Sequence, residues 1–239
     1  MRAGRIFWAV AFCVWIALVI LFVYPVRNTV LKILLLLCEG VSCITLIVLV
    51  RANLLRVILT LLLLGVILTV AFGPSRPADV VRLRRSYVEN LQSFTGTRYV
   101  WGGENRRGVD CSGLTRAAWV GAQFKIGVRD MNPGLVREAF LVWWHDSSAL
   151  HLGEGYGTRT RRVLESSSVR TIDSRRLLPG DMAVVARGVH IMAYLGDNRW
   201  IEADPGEKRV IVLDVKDKNA WLDSRPVVVR WTALDNALR

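Results

Sequence analysis

The chain has 239 residues, a formal net charge of +12, and hydrophobic side chains at 52% of its positions. Most of the apolar residues fall within residues 1–73, and the remainder has the composition of one globular domain with its own core. From residue 74 onward there are 26 basic and 19 acidic residues, scattered and without a recognition motif, which argues against nucleic acid as a partner. A solvated basic surface is the favoured interpretation, with attraction to an anionic polymer or to lipid headgroups as the alternative.

Three apolar stretches predict transmembrane helices, because about 20 consecutive apolar residues span a bilayer. They cover residues 6–24, 33–50 and 54–72. Together they predict a compact three-helix anchor over residues 1–73. A cleavable signal peptide is the rival interpretation of the first stretch, and its basic start at Arg2 and Arg5 agrees with it. No small-residue cleavage site follows, so we expect this stretch to be retained as a membrane helix.

The orientation in the membrane stays open at this stage. With three spans, the N-terminus and the globular part lie on opposite sides, and the positive-inside rule compares the Lys and Arg residues near the span ends. Four lie on one side and six on the other: Arg2, Arg5, Arg51 and Arg56 against Arg27, Lys32, Arg76, Arg82, Arg84 and Arg85. This count leans toward a cytoplasmic globular part without deciding the matter. For Glu39, in mid-span, we favour a polar contact within the bundle over a functional role.

A breaker-rich linker at residues 73–77 leads into the globular part. Apolar spacing then predicts helices over residues 78–94 and 112–124. Residues 127–178 contain an apolar helical stretch at 135–144 within a polar, Gly-rich passage. We interpret this segment as either a lid over the site or a surface insertion.

From residue 178 the pattern changes to apolar runs separated by turn residues. These runs predict strands over residues 182–186, 190–195, 199–203, 210–213 and 226–231. Helices followed by a meander of antiparallel strands give an α+β domain over residues 74–239.

Cys111 is the only cysteine outside the apolar N-terminal segment. It follows a Gly-Gly turn and precedes a predicted helix, and the positive end of a helix dipole favours the nucleophilic thiolate. Cys111 is therefore a candidate nucleophile. Cys13, Cys38 and Cys43 lie in the apolar stretches, where they are expected to behave as small hydrophobic residues without a disulfide or a metal site.

A thiolate needs a base, and the base needs an orienting group. Of the three histidines, His145 and His151 lie in the polar insertion, whereas His190 begins a strand just after a glycine. We therefore favour His190 as the base. Glu202 and Asp204 share one strand face and could each orient its imidazole. The alternatives are an ion pair of Glu202 with a nearby arginine, or a metal cluster of these acids with His190, which Cys111 makes unnecessary.

Four blocks in order carry a family resemblance: Tyr99-Val-Trp-Gly-Gly103, Val109-Asp-Cys-Ser-Gly-Leu114, Leu178-Pro-Gly-Asp-Met182, and the run from His190 to Ala203. Over residues 80–215 the sequence resembles the NlpC-type cell-wall peptidases, which are papain-like cysteine enzymes. The resemblance implies a papain-like α+β domain with N-terminal helices and a central antiparallel sheet, after a bundle of about three transmembrane helices. It implies no cofactor and no metal.

The resemblance also implies roles for individual residues. Cys111 would be the nucleophile, His190 the general base and Glu202 the third catalytic residue, with Asp204 as the alternative third residue. The family usually has His, Asn or Gln at the third position, so Glu202 is a departure. Substrate contacts would come from Tyr99, Trp101, Asp110 and Ser112, and the oxyanion would be held by backbone N–H groups at the helix start.

These features predict a membrane-anchored cysteine hydrolase that cleaves an amide bond of the γ-D-glutamyl-diaminopimelate type in peptidoglycan stem peptides. Stem peptides and the lipid bilayer are the expected partners. We expect a multi-pass protein of the cytoplasmic (inner) membrane with an extracytoplasmic catalytic domain, on the periplasmic side. Two alternatives stay open: a thiol-dependent hydrolase or acyltransferase acting on a lipid or another amide, and a non-catalytic peptide-binding module.

Overall fold

The computed structural model describes residues 2–235, with side chains from residue 7 onward. Met1 and residues 236–239, the last four of the predicted peptidase domain, lie outside the described residues. Three long helices come first: α1 (Arg2–Val23), α2 (Thr29–Leu49) and α3 (Asn53–Phe72). Four shorter helices belong to the globular part: α4 (Val80–Gln92), α5 (Cys111–Arg129), α6 (Pro133–Trp144) and α7 (Ala149–Gly153).

Two of the three N-terminal helices, α2 and α3, are long and apolar enough to cross a membrane. The apolar part of α1, Phe7–Val23, is shorter than that length. Helix α3 has no buried residue, so it is unlike the core helix of a globular protein. The structure therefore has two apolar helices that qualify as a membrane anchor or signal segment, whereas the sequence predicts three spans. They also form less of a bundle than expected, because α1 packs on α2 whereas α3 contacts α6 more than α2.

Both chain turns at one end of these helices contact the globular part. Between α1 and α2, Val26 forms a β-bridge with Gly103, and the Arg27 N–H donates to the Gly102 carbonyl at 3.1 Å. At the end of α3, the Arg137 guanidinium donates to three backbone carbonyls, including that of Gly73 at 3.1 Å. The N-terminal helices are thus attached to the domain at two places, the α1–α2 turn and the end of α3.

Helices α4, α5 and α6 begin within two residues of the predicted starts, each after a polar capping residue. Asp79 caps α4, Asp110 caps α5 and Asn132 caps α6, each accepting a backbone N–H from the first turn. Helix α5 is longer than predicted and continues to Arg129. Its Trp119 stacks on Trp231 with ring centroids 5.0 Å apart, which places this helix against the sheet.

One six-stranded antiparallel sheet, in the order β3-β8-β4-β5-β6-β7, forms the centre of the domain. Its strands are β3 (Thr160–Glu165), β4 (Met182–Val185), β5 (His190–Gly196), β6 (Arg199–Asp204), β7 (Arg209–Asp214) and β8 (Val227–Trp231). The short hairpin of β1 (Glu104–Asn105) and β2 (Gly108–Val109) precedes α5. The predicted strands and the α+β class are confirmed.

The segment 127–178 is more than a lid or a surface insertion. It supplies α6, which packs on α5, and β3, which pairs with β8 at the sheet edge. The sequence did not predict β3, whose residues Thr160–Glu165 include three charged side chains and no regular apolar alternation. Whether such an edge strand forms depends more on pairing with a neighbouring strand than on its own sequence pattern.

Candidate active site

The start of α5 is fixed by close backbone contacts that require glycine. A Cβ on Gly113 would lie 2.0 Å from the Gly103 carbonyl oxygen, and a Cβ on Gly103 would lie 2.4 Å from the Gly108 carbonyl oxygen. Asp110 holds the same turn, because its carboxylate accepts the Gly102 N–H at 2.7 Å and the Gly113 N–H at 2.6 Å. The Gly-Gly and Asp-Cys-Ser-Gly motifs thus join the preceding loop to the first turn of α5.

Cys111 is the first residue of α5 and only 7% of it is exposed. The backbone N–H groups of Cys111 and Ser112 lie in the first helical turn, where a helix provides no acceptor four residues earlier. The Ser112 hydroxyl donates to the Asp110 carboxylate at 3.1 Å. This arrangement places a thiol beside unpaired donors and the positive end of the helix dipole.

His190 begins β5, is 2% exposed, and lies between Cys111 and an acid. Its Nε2 is 2.5 Å from Oε2 of Glu202 on the neighbouring strand β6. Burial lowers the pKa of His190, but the Cys111 thiol and the Glu202 carboxylate outweigh it and raise that pKa to about 9. An imidazolium is therefore the stable form at neutral pH.

Trp221 and Asn219 complete the surroundings of His190, and the sequence did not predict either of them. The indole of Trp221 stacks on the imidazole with ring centroids 4.4 Å apart. The Asn219 amide donates to Glu202 Oε1 at 2.8 Å and to Asp204 Oδ2 at 3.1 Å. Both lie in the loop after β7, where an isolated Asn and Trp give no signal of a site.

The two candidate acids occupy different environments. Burial raises the pKa of Glu202, and His190 opposes that shift. Asp204 bonds to Asn219 and to the turn N–H groups of Gly206 and Glu207, at 2.6 and 3.0 Å, and has no hydrogen bond to His190. The alternative of an ion pair between Glu202 and an arginine is wrong, because Arg199 and Arg209 pair with Asp197 and Glu207.

The predicted substrate-binding residues differ in how exposed they are and in which of them line a cavity. Burial and the nearby Cys111 and Asp110 raise the pKa of Tyr99 to about 12, so its phenol is neutral at physiological pH. Trp101 is 80% exposed. Asp110 and Ser112 line a cavity of about 310 Å³, whose opposite wall includes Asp146, His151 and Arg27 of the α1–α2 connection.

The other predicted residues lie away from this centre. His145 is exposed and its Nδ1 is 2.9 Å from the Leu141 carbonyl oxygen, and His151 is exposed at the far wall of the cavity. Cys13 and Cys43 are exposed and Cys38 is half-buried on the apolar helices. The structure thus brings Cys111, His190 and Glu202 together, whereas His151 lines the cavity beside Ser112 and the other cysteines lie on the apolar helices.

Comparison with known proteins identifies the family of this chain. The model of the NlpC/P60 family matches residues 96–225, more than half of the chain. This chain belongs to the NlpC/P60 family. It is 30% identical over 135 residues to the probable endopeptidase NlpC of Escherichia coli K12, covering 54% of this chain and 67% of the relative. The members of this family are cysteine peptidases and hydrolases.

Solved structures give similar matches of low identity. NlpC2 from Trichomonas vaginalis aligns with 63% of this chain at 16% identity and a TM-score of 0.42. The peptidoglycan hydrolase RipB from Mycobacterium tuberculosis aligns with 68% of this chain at 20% identity and a TM-score of 0.41. The chain spans 47% of the first structure and 70% of the second.

Proposed function

We propose that this protein is a membrane-anchored cysteine hydrolase that cleaves an amide bond in peptidoglycan stem peptides, of the γ-D-glutamyl-diaminopimelate type. The observation that carries the proposal is the buried series of side chains from Cys111 through His190 to Glu202. A cysteine, a histidine and an acid in this order are the groups that nucleophilic amide hydrolysis needs. Membership of a family of cysteine peptidases and hydrolases supports the same chemistry.

In the first step the thiolate of Cys111 attacks the scissile carbonyl carbon. The negative charge moves to the carbonyl oxygen, and the N–H groups of Cys111 and Ser112 are placed to donate to it. The charge of the His190 imidazolium supports the thiolate before the attack. Glu202 in turn stabilises the imidazolium and fixes the orientation of the ring.

In the second step His190 donates its proton to the leaving amine, which departs as the carbon–nitrogen bond breaks. The acyl group stays on Cys111 as a thioester. Neutral His190 then takes a proton from water, the resulting hydroxide attacks the thioester, and the carboxylic acid product leaves the regenerated thiol. Trp221 stacked on the imidazole and Glu202 bonded to it keep the ring in one place through both steps.

We also propose that α1, α2 and α3 all cross the cytoplasmic membrane and that the catalytic domain lies on its outer, periplasmic face. Support comes from the exposed apolar side chains of α3 and from the two turns that meet the domain at the same end of the helices. Aromatic residues mark this end, as is usual at a membrane interface: Tyr24 after α1, and Phe140 and Trp143 beside Val70 of α3.

The buried charges at this junction bear on the orientation. Lys32, counted above among the basic residues on the domain side, is fully buried, and its ammonium bonds to the Trp143 carbonyl at 2.7 Å and to Asp146. The Arg27 guanidinium donates to the last carbonyls of α1, including that of Phe22 at 3.0 Å. The charge of Lys32 is neutralised by Asp146 and both cations are engaged by the protein, which weakens the lean toward a cytoplasmic domain.

The hydrolase proposal is tested by Cys111→Ala, with Cys13→Ala on α1 as the matched cysteine control. Full-length protein in detergent is incubated with peptidoglycan stem peptides, and the products are identified by mass spectrometry. We expect Cys111→Ala to lose hydrolysis by about 10⁴-fold or more and the control to keep it. Unchanged products from the Cys111→Ala variant would refute the proposal. The orientation is tested with a C-terminal reporter enzyme that works only in the cytoplasm. Activity of that reporter would refute the proposed orientation.

A further inference from the structure

A cavity of about 730 Å³ lies where α1 ends against the domain. One wall is apolar and comes from the last turn of α1 and the residues after it: Ile20, Val23, Tyr24 and Pro25. The other wall comes from the loop before β1 and from the β1–β2 turn, and it contains three arginines: Arg98, Arg106 and Arg107. The lining thus combines apolar side chains of the α1 end with arginines at the predicted membrane boundary.

A second cavity of about 390 Å³ lies on the other side of the same turn and also includes Val23, Arg106 and Arg107. Its acidic residue, Glu104, is engaged by Arg116 and lies 3.7 Å from the Lys32 ammonium. The second cavity thus has a carboxylate in its lining, although Lys32 and Arg116 already engage that carboxylate. The first has no acidic residue in its lining, so its positive charge is available to a ligand.

The three arginines differ from most arginines of the domain. Arg82, Arg159 and Arg230, for example, lie 2.6 Å from the carboxylate oxygens of Asp79, Glu138 and Asp181. Within residues 2–235, no acidic side chain lies within 4.0 Å of the guanidinium groups that line the cavity. Arg106 is nevertheless held in place, because it donates to the Ser93 carbonyl at 2.6 Å and lies over the ring of Phe94.

We propose that this cavity binds an anionic phospholipid, with the phosphate on Arg98 and Arg107 and an acyl chain along Ile20 and Val23 of α1. Guanidinium groups bind phosphate oxygens well, and a membrane-helix surface accepts the chain. The inference rests on the proposed membrane placement of α1. Free phosphate is the less suitable ligand, because it would leave the apolar wall uncovered.

The location of this site links the bilayer to the proposed substrate groove. Arg98 and Val100 of the lipid cavity flank Tyr99, whose phenol lies near Cys111. The same loop continues to Gly102, whose N–H bonds to the Asp110 carboxylate at 2.7 Å. A bound lipid headgroup would therefore hold the substrate-binding loop at the membrane surface.

The test measures the binding of a short-chain fluorescent phosphatidylglycerol to full-length protein in detergent, with a matching phosphatidylcholine and inorganic phosphate as competitors. The double variant Arg98→Gln/Arg107→Gln is compared with Arg176→Gln/Lys218→Gln, which removes the same charge from exposed positions elsewhere. We expect the first variant to raise the Kd at least about tenfold and the second to change it less than about twofold.

Three results would overturn the proposal: equal weakening in both variants, no weakening in either, or displacement by inorganic phosphate as effective as by unlabelled phosphatidylglycerol. Equal weakening would indicate diffuse attraction and not a site. Because the binding assay needs no hydrolysis, it is run on the Cys111→Ala protein, and its failure leaves the hydrolase proposal intact. Release of the protein from membranes by alkaline carbonate would instead refute the membrane placement and this site together.

Discussion

Two buried polar clusters differ in how their charges are arranged. The junction cluster consists of Lys32, Glu104, Arg116 and Asp146, where the N-terminal helices meet the domain. The catalytic cluster consists of Cys111, His190, Glu202, Asn219 and Asp204. In the first, two cations face two carboxylates, and Lys32 and Arg116 also donate to backbone carbonyls. In the second, one end is a thiol with no partner other than the histidine that activates it.

This difference shows how a buried polar group can serve stability or chemistry. Ion pairs are costly to bury, but once buried they are also costly to break, because removing one partner leaves an uncompensated charge. A reactive thiol, by contrast, must stay accessible to substrate on one side. The stabilising contacts are therefore made to the histidine and the acid and not to the thiol itself. The neutral amide of Asn219 and the stacked ring of Trp221 supply that support without competing for the thiol.

The first prediction removes a charge from the junction cluster. Lys32→Met removes the cation bonded to Asp146 and leaves both carboxylates to Arg116 alone. Breaking a buried pair costs about 3–5 kcal/mol, and the partial exposure of Asp146 favours the lower end of that range, about 3 kcal/mol. We expect the thermal unfolding midpoint in detergent to fall by about 10 °C, as followed by tryptophan fluorescence. The kcat on stem peptides should change little at temperatures where the variant is folded.

Lys125→Met is the matched control, because Lys125 forms an exposed ion pair with Glu89 at 3.4 Å. Exposed pairs contribute about 0–1 kcal/mol, so its midpoint should shift by only a few degrees. Equal shifts in the two variants would mean that the junction cluster is not a stabilising contact between the N-terminal helices and the domain.

The second prediction changes the acid of the catalytic cluster. Glu202→Gln removes the negative charge 2.5 Å from His190 Nε2, and we expect kcat/KM to fall by about 10²-fold or more. The pH profile should change as well. With the pKa of His190 near 9, the wild-type alkaline limb is expected at about that pH, where the imidazolium loses its proton.

Because the carboxylate raises that pKa, its loss should move the alkaline limb of Glu202→Gln to lower pH. Glu207→Gln, at an exposed position of the neighbouring turn, should keep both the rate and the limb. An unshifted limb in Glu202→Gln would show that Glu202 does not determine the protonation of His190. The unfolding midpoint of this variant should also fall, because His190 loses the partner of a buried ion pair, so rates are compared below that midpoint.

The sequence predicted the parts of the fold that have a local signal. Apolar periodicity predicted α4 and the start of α5, and apolar runs between turn residues predicted strands β4 to β8 within a few residues. The position of Cys111 at a helix start and of His190 at a strand start follows from the same signals. Sequence reasoning also identified Glu202 and Asp204 as sharing one face, and the structure places both on Asn219.

The parts that were missed depend on contacts between distant segments. Lys32 reads as an ordinary charge near a span end, and only the packing of the α1–α2 connection on the domain reveals that it is buried. Asn219 and Trp221 lie in a loop whose path is fixed by β6 and by His190. No periodicity or capping pattern in a single sequence identifies such residues, because their role arises from the tertiary arrangement alone.

The last and smallest effects concern Asn219, which separates two carboxylates. Asn219→Ala removes the hydrogen bonds of 2.8 and 3.1 Å and leaves Glu202 and Asp204 facing each other. Since burial and Asp204 both raise the pKa of Glu202, we expect protonated Glu202 to become more populated and kcat/KM to fall about tenfold. Asp204→Asn alone should cost less, about two- to threefold, because Asp204 does not bond to His190.

The double variant Asn219→Ala/Asp204→Asn decides between repulsion and lost positioning. If the repulsion between the two carboxylates causes the defect, removing the charge of Asp204 should recover part of the rate lost in Asn219→Ala. If Asn219 acts only by holding the loop that carries Trp221, the two losses should add on a logarithmic scale. Initial rates measured between pH 5 and pH 9 give a second readout. If protonation of Glu202 causes the defect, the defect should deepen as the pH falls, whereas a loss of positioning alone should not depend on pH in this way.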